Sequence, residues 1–210
     1  MKFLGCAGRH FVFQYTDASD ANAPRKVMAC DTFSGEVTHM SNVPVDATLY
    51  KGTSEYHAYG RSFLVTAKEA SSYVEVMCAD VLTGRTITPH PYVFAGKCAR
   101  ALDVSAACIA FATDAKIVLL DPLMNKTYEY DAIIAVVAVA AWKTKVGLYA
   151  GDWDGNVYAI SEDGIKFIGT APPRLLELHA LADKSCLVTT STHTSVLFET
   201  GRCIDFKRHT

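Results

Sequence analysis

The sequence predicts an all-β protein built from one repeated unit of four short strands. Runs in which apolar and polar residues alternate recur from one end of the chain to the other, as expected for half-buried strands. Short reversals separate these runs, and a turn residue returns about every 40 residues. No amphipathic helical pattern of useful length interrupts the strands.

The clearest unit is the hairpin over residues 146–160. In its first strand Leu148 and Ala150 alternate with Tyr149 and Gly151. The reversal Asp154-Gly155-Asn156 follows, and the Asp-Gly pair favours tight hairpin turns because these need positive φ. Residues 157–160 then resume the strand pattern. Weaker copies of this hairpin recur along the chain.

The copies align on the turn that precedes the last strand of each unit. The aligned residues are Gly35, Gly84, Asn125, Gly164 and Gly201, which stand 49, 41, 39 and 37 residues apart. A period near 40 with four strands per unit is typical of β-propeller blades. We therefore predict a single β-propeller domain of about five four-stranded blades, roughly 1–42, 43–90, 91–131, 132–170 and 171–210.

Two segments depart from the regular unit. Residues 17–25 form a polar insertion at a strand junction and are a candidate contact surface. In the second repeat, residues 85–88 are the expected last strand. Pro89 and Pro91 follow that strand and mark the boundary to the next blade.

Composition and charge exclude several classes of protein. Half of the 210 residues are hydrophobic and a fifth are charged, as in folded globular proteins. The net charge of −2 and the scattered basic residues do not favour nucleic acid or an anionic membrane. The longest apolar run, residues 132–142, has about half the length needed to cross a bilayer. We interpret it as a buried strand.

The seven cysteines indicate a reducing compartment. They form no CxxC pair, their number is odd, and most lie in apolar runs, where a free cysteine behaves as a small buried hydrophobe. The residues ahead of Cys6 are too few for a signal peptide. We therefore expect a cytoplasmic protein.

Two motifs carry a family resemblance. The stretch Gly151-Asp-Trp-Asp-Gly-Asn-Val-Tyr-Ala-Ile160 resembles the turn between the second and third strands of a blade in WD-repeat and quinoprotein-type β-propellers. The acidic residues Asp31, Asp80 and, more loosely, Glu199 precede Ser-Gly or Thr-Gly turns, as in the same families. The resemblance spans nearly the whole chain and implies stacked blades around a central channel.

Residues 152–156 are one candidate site. Asp152 and its neighbours could form an oxygen-rich calcium loop, but the apolar sequence after Asn156 supplies no later carboxylate ligand. A simple turn is the favoured interpretation. Trp153 at the tip of this turn is either an exposed anchor for a partner or a side chain packed on the neighbouring blade.

The predicted innermost strands supply the other candidates. Asp103 and Glu177 could face a central channel, as could Trp142 and His179. Two carboxylates could act as acid and base in glycoside cleavage, although structural hydrogen bonding is the favoured role. The histidines show no metal-binding spacing, and no nucleophile elbow, phosphate loop or dinucleotide fingerprint occurs. We expect no catalytic residue, metal or cofactor.

These observations predict a non-enzymatic propeller that serves as a protein–protein interaction scaffold in a larger assembly. The expected partners are other proteins, including a second copy or another chain if the ring is open. The alternative is a five-bladed propeller that binds or hydrolyses a carbohydrate or another small ligand at its channel. A carbohydrate-binding module is a third possibility, but it needs aromatic residues repeated in each blade, and both tryptophans lie in one repeat.

Overall fold

A computed structural model describes residues 1–7, 9–16, 23, 25–40, 43, 49–56, 61–87, 90–105, 107–121, 126–132, 134–181 and 184–207. Over these residues, twenty strands form five antiparallel four-stranded sheets. The predicted all-β class and the four-strand repeat are confirmed. By Cα proximity the chain divides into two compact units, Met1–Phe94 and Ala95–Thr210. The predicted limits of the domain and blades stay predictions.

The first two sheets are meanders in chain order. Sheet 1 consists of β1 (Lys2–Ala7), β2 (His10–Tyr15), β3 (Lys26–Asp31) and β4 (Val37–Met40). Sheet 2 consists of β5 (Leu49–Tyr56), β6 (Arg61–Glu69), β7 (Tyr73–Asp80) and β8 (Tyr92–Ala95).

The other three sheets have the same order of strands. Sheet 3 consists of β9 (Ala99–Val104), β10 (Ile109–Thr113), β11 (Lys116–Asp121) and β12 (Lys126–Asp131). Sheet 4 consists of β13 (Val136–Ala141), β14 (Leu148–Asp152), β15 (Asn156–Ser161) and β16 (Gly164–Thr170). Sheet 5 consists of β17 (Leu175–Ala180), β18 (Ser185–Thr190), β19 (His193–Phe198) and β20 (Cys203–Lys207).

The last strand of sheet 2 differs from the prediction. Residues 85–88 were expected to form it, but the described part of that segment, residues 85–87, makes only an isolated bridge between Thr86 and Ala79. The Arg85 carbonyl and the Ile87 N–H form its two hydrogen bonds to β7, at 2.8 and 2.9 Å. The fourth strand is β8, which begins directly after Pro91. Pro91 has no N–H to donate to a strand ladder, which fits its position just before β8.

Buried side chains join neighbouring sheets within each compact unit. Sheets 1 and 2 share an apolar cluster that includes Val12, Val27, Ala29, Leu64, Ala79 and Val81. Sheets 4 and 5 share a second cluster in which Tyr149 is 1% exposed. The apolar run predicted to be a buried strand is β13, and nearly all of its residues are buried. Each large side chain of these clusters contributes about 1.5–3 kcal/mol by leaving water.

A polar residue organises the turn that follows the third strand of several sheets. The Asp31 carboxylate accepts hydrogen bonds from the backbone N–H groups of Phe33 and Ser34 at 2.8 and 3.0 Å. The Asp80 carboxylate likewise accepts hydrogen bonds from the backbone N–H groups of Leu82 and Thr83. The hydrogen bonds from Ser34 and Phe33, with the nearby Arg9, hold the pKa of Asp31 below its usual value.

The aligned turn glycines confirm the period of the repeat. All four that were predicted to occupy this turn adopt positive φ, between 66° and 113°. The fifth aligned residue, Asn125, lies outside the described residues, as do residues 17–22 of the predicted insertion loop.

All seven cysteines are free thiols. Burial raises the pKa of Cys78 and of Cys186 to about 12 and the pKa of Cys108 to about 11. These three therefore behave as the small buried hydrophobes that the sequence predicted. Cys6 differs, because it is exposed on β1.

Candidate functional site

The Asp152 carboxylate closes the turn between β14 and β15. Its Oδ1 atom accepts a hydrogen bond from the backbone N–H of Asn156, and its Oδ2 atom accepts one from the Asn156 side chain, both at 2.9 Å. Asn156 Oδ1 in turn accepts a hydrogen bond from the Thr170 hydroxyl at 3.0 Å. Both carboxylate oxygens are thus engaged within the protein. This arrangement supports the turn interpretation over the calcium loop.

The same position has an equivalent in the sheets on either side. Thr113 in sheet 3 and Thr190 in sheet 5 also end a second strand. The hydroxyl of each accepts hydrogen bonds from two backbone N–H groups of its own turn. A side-chain oxygen at the end of the second strand thus accepts hydrogen bonds from the following turn in three neighbouring sheets. Asp152 is one example of this arrangement and not an isolated acidic site.

The turn that carries Trp153 is attached to the segment that connects sheets 4 and 5. The Trp153 carbonyl accepts a hydrogen bond from the Arg174 N–H at 2.7 Å, and the Gly155 carbonyl accepts one from Ala171 at 2.9 Å. Only glycine fits at position 155, because a Cβ there would lie 2.2 Å from the Ala171 carbonyl oxygen. The Trp153 side chain remains 53% exposed at the tip of this fixed turn.

Asp103 links two first strands. It lies on β9, half-buried, and its Oδ2 atom accepts a hydrogen bond from the backbone N–H of Ala141 on β13 at 3.0 Å. A charge-assisted bond of this kind fixes one strand against the next. The contact favours a structural role for Asp103.

Glu177 lies on β17 and is exposed. Its carboxylate is 3.4 Å from His179 Nε2, and both side chains are more than half exposed. Exposed pairs of this kind contribute little to stability. The two carboxylates of the predicted channel site thus have different surroundings, since Asp103 supports the backbone of a neighbouring sheet and Glu177 faces solvent.

Trp142, which could face a channel, is 9% exposed. Its ring packs edge-on against Tyr149, with 5.5 Å between centroids. The Lys145 ammonium lies 4.6 Å from the centroid of the indole ring. Trp142 therefore belongs to the wall of a cavity beside the loop after β13.

Sequence reasoning missed an apolar face on sheet 1, here called the aromatic face. Pairing places its residues opposite one another across the four strands, because directly paired residues share a face. Phe3 pairs with Phe13, and Cys6 with Phe11. On β3, Met28 pairs with Phe13 and Cys30 pairs with Phe11, and Cys30 pairs in turn with Val37 on β4. The same side of sheet 1 also carries His39, opposite Met28, and the pair Tyr15 and Lys26. The name aromatic face is kept for its apolar part, which consists of Phe3, Cys6, Phe11, Phe13, Met28, Cys30 and Val37.

The aromatic face is substantially open to solvent. Phe3 is 54% exposed, Phe11 45% and Val37 46%. The Phe3 ring packs against Phe11 and Phe13, with centroids 5.9 and 5.5 Å apart. The opposite face of the same sheet carries Val12 and the other core residues shared with sheet 2. Sheet 1 is therefore apolar on both faces, which a sheet needs when it is covered on both sides.

The available signal for the aromatic face was the spacing of Phe11 and Phe13 on one side of β2. That spacing predicts a shared face but does not show whether a neighbouring sheet covers it.

Two kinds of feature do not occur among the described residues: a metal-ligand cluster and a helix of membrane-spanning length and apolarity. No group of three or more His, Cys, Asp or Glu side chains there is arranged to hold a metal ion. The same residues contain no helix that is long and apolar enough to cross a membrane.

Comparison with known proteins identifies the fold. No protein-family model and no curated protein sequence matches the chain. Among solved structures, the computationally designed Ika8 protein matches 98% of this chain and 61% of its own, with a TM-score of 0.63 and 14% identity. U3-55K matches 70% of this chain and 49% of its own, with a TM-score of 0.55 and 14% identity.

The chain thus spans about three fifths of Ika8 and about half of U3-55K. Both are propeller-type proteins, and likeness at this level of identity shows the fold alone. The five four-stranded meanders and these structural neighbours together show that the chain has an all-β, propeller-type fold.

Proposed function

We propose that this chain is a non-enzymatic propeller platform of the WD-repeat type that binds another protein through the aromatic face of sheet 1. The observation that carries the proposal is the exposure of Phe3 and Phe11, on the adjacent strands β1 and β2 of the aromatic face. Contiguous exposed apolar patches on a protein surface mark interaction sites. Aromatic side chains are also the residues that most often contribute the binding energy of an interface.

The chemistry of the face selects a protein as the partner. Its seven side chains are aromatic, aliphatic or sulfur-containing. Phosphate backbones and lipid headgroups need clusters of basic residues, and the aromatic face has only Lys26 and His39 beside it. A blade of a propeller normally packs both of its faces on neighbouring sheets. A partner that presents an apolar β-sheet is therefore the best fit.

The rival function is ligand binding or hydrolysis at the channel by Asp103 and Glu177. The hydrogen bond from Ala141 to Asp103 and the pairing of Glu177 with His179 give each carboxylate a role of its own. These contacts favour the platform over the channel enzyme.

The proposal predicts which exposed aromatics the partner contacts. A tagged chain and two variants, Phe3→Ser with Phe11→Ser and Trp153→Ser, are used to capture proteins from an extract of the native cells. Trp153 is a matched control, because it is as exposed as Phe3 at 53% against 54%. We expect the double variant to lose its main partner by at least about tenfold, as for the loss of central hot-spot side chains.

Trp153→Ser should retain that partner. Loss of capture with Trp153→Ser but not with the double variant would reject the aromatic face and select the turn at residues 152–156. Circular dichroism and thermal unfolding confirm that both variants remain folded. The replaced side chains are exposed, so each variant should unfold within a few degrees of the original chain.

A further inference from the structure

A cavity of about 280 Å³ lies beside Trp142 in the compact unit Ala95–Thr210. The loop that joins β13 to β14 forms one wall of the cavity, and Leu181 and Lys184, between β17 and β18, line it from another side. Among the described residues, its charged lining consists of Lys143, Lys145, Lys184 and Glu199. The proposed protein partner uses none of these residues.

Short hydrogen bonds hold both loops at their bases. The backbone N–H of Trp142 donates a hydrogen bond to the Gly147 carbonyl, and the backbone N–H of Leu181 donates one to the Ser185 carbonyl, both at 2.8 Å. The Lys184 carbonyl accepts a further hydrogen bond from the Glu199 N–H at 3.3 Å. The backbone positions of the lysines at the cavity are thus set by the strands on either side.

The charges of the described lining residues are not balanced. Among them are three lysines and one glutamate. The Glu199 carboxylate accepts a hydrogen bond from the Tyr149 hydroxyl at 3.4 Å. Among the described residues, no carboxylate lies within ion-pair distance of Lys143, Lys145 or Lys184. Like charges gathered at one cavity repel each other, and a bound anion relieves that repulsion.

The indole of Trp142 lies beside the lysines in the wall of this cavity. Trp142 Nε1 is buried and has no hydrogen-bond partner among the described residues. Leaving such a donor unpaired costs about 1–3 kcal/mol, so native structures usually keep one for a reason.

We propose that this cavity binds the dianionic phosphate group of a phosphomonoester. Lysine ammonium groups bind phosphate as point charges and together supply many N–H donors. A phosphomonoester carries a charge of about −1.5 to −2 at neutral pH, which matches the excess of positive charge in the lining. The cavity is large enough for one phosphate group and a short part of the molecule that carries it.

The test uses Trp142 as its own reporter. Because the chain has two tryptophans, Trp153→Phe leaves Trp142 as the only one. This variant is titrated with inorganic phosphate and with sodium chloride at equal ionic strength, while the fluorescence of Trp142 is recorded. We expect a saturable change with phosphate and none with chloride. An equal change with both salts, or no change, would overturn the proposal.

Three further variants test the charges. Lys143→Gln should weaken phosphate binding about tenfold, as expected when one charge-assisted contact is lost. Glu199→Gln should strengthen binding several-fold, because it removes the opposing carboxylate and keeps the Oε1 acceptor for Tyr149. Lys166→Gln, an exposed lysine on β16, should change nothing and is the matched control. Equal weakening by Lys143→Gln and Lys166→Gln would mean unspecific attraction and would reject the site.

A final experiment distinguishes a phosphorylated side chain from a small free anion as the source of the phosphate group. A short peptide that contains phosphoserine is compared with its unphosphorylated form and with inorganic phosphate. Tighter binding of the phosphopeptide than of free phosphate identifies a phosphorylated side chain, and equal binding identifies a small free anion. Equal binding of the phosphorylated and unphosphorylated peptides would overturn the proposal.

Discussion

Replacing Gly155 with alanine should lower the melting temperature by about 12 °C, which corresponds to about 4 kcal/mol in a chain of this size. Gly155 has a φ of +90°, a conformation that L side chains rarely adopt. The new Cβ would also lie 2.2 Å from the Ala171 carbonyl oxygen and 2.8 Å from that of Pro172. Backbone strain and overpacking each cost about 1–3 kcal/mol, and here both occur.

Gly164→Ala is the matched control for this effect. Gly164 has a φ of +113°, but a Cβ added there would have no neighbour within 4 Å. We therefore expect only the strain, about 1–2 kcal/mol. Differential scanning calorimetry of both variants measures the difference. Equal losses would show that the contact between the turn and residues 171–172 does not limit what position 155 accepts.

Replacing Asp152 with alanine should cost about 3 kcal/mol, because it leaves donors unpaired at a buried position, at about 1–3 kcal/mol for each. The side chain is 8% exposed, and its two oxygens accept the backbone and side-chain N–H groups of Asn156. Urea unfolding of the variant measures this loss of stability.

Asp154→Ala is the control, because Asp154 lies in the same turn but is exposed. Its replacement should change stability by less than about 0.5 kcal/mol. Calcium distinguishes the two interpretations of this loop. If Asp152 were a ligand, added calcium would stabilise the original chain and not Asp152→Ala, which would contradict the turn assignment. We expect calcium to have no effect on either protein.

Local chemistry explains why the repeat could be predicted from the sequence. The Asp-Gly pair at residues 154–155 and the glycines at 35, 84, 164 and 201 are turn signals that act within a few residues. Strand alternation likewise indicates which residues share a face. These signals predicted the class, the four-strand unit and the turn role of Asp152 without reference to distant contacts.

The errors arose where the outcome depends on more distant parts of the chain. Residues 85–88 have a strand-like pattern, but the strand that completes sheet 2 lies beyond two prolines. The cavity lysines come from loops about 40 residues apart, and only the stacking of sheets 4 and 5 brings them together. The alternation of Phe11 and Phe13 could not reveal the exposure of the aromatic face, because exposure depends on what packs against the sheet.

The reactivity of Cys6 tests the central claim most directly. Cys6 is exposed on the aromatic face, directly opposite Phe11, and a bound partner would cover it. A maleimide reagent is applied to the purified chain and to a native cell extract, and the modified peptides are quantified by mass spectrometry. The partly exposed Cys98, in the unit Ala95–Thr210, is the internal control. We expect Cys6 to react at least about tenfold more slowly in the extract, because thiol reactivity follows exposure. Equal rates for Cys6 in both samples would contradict a partner on this face.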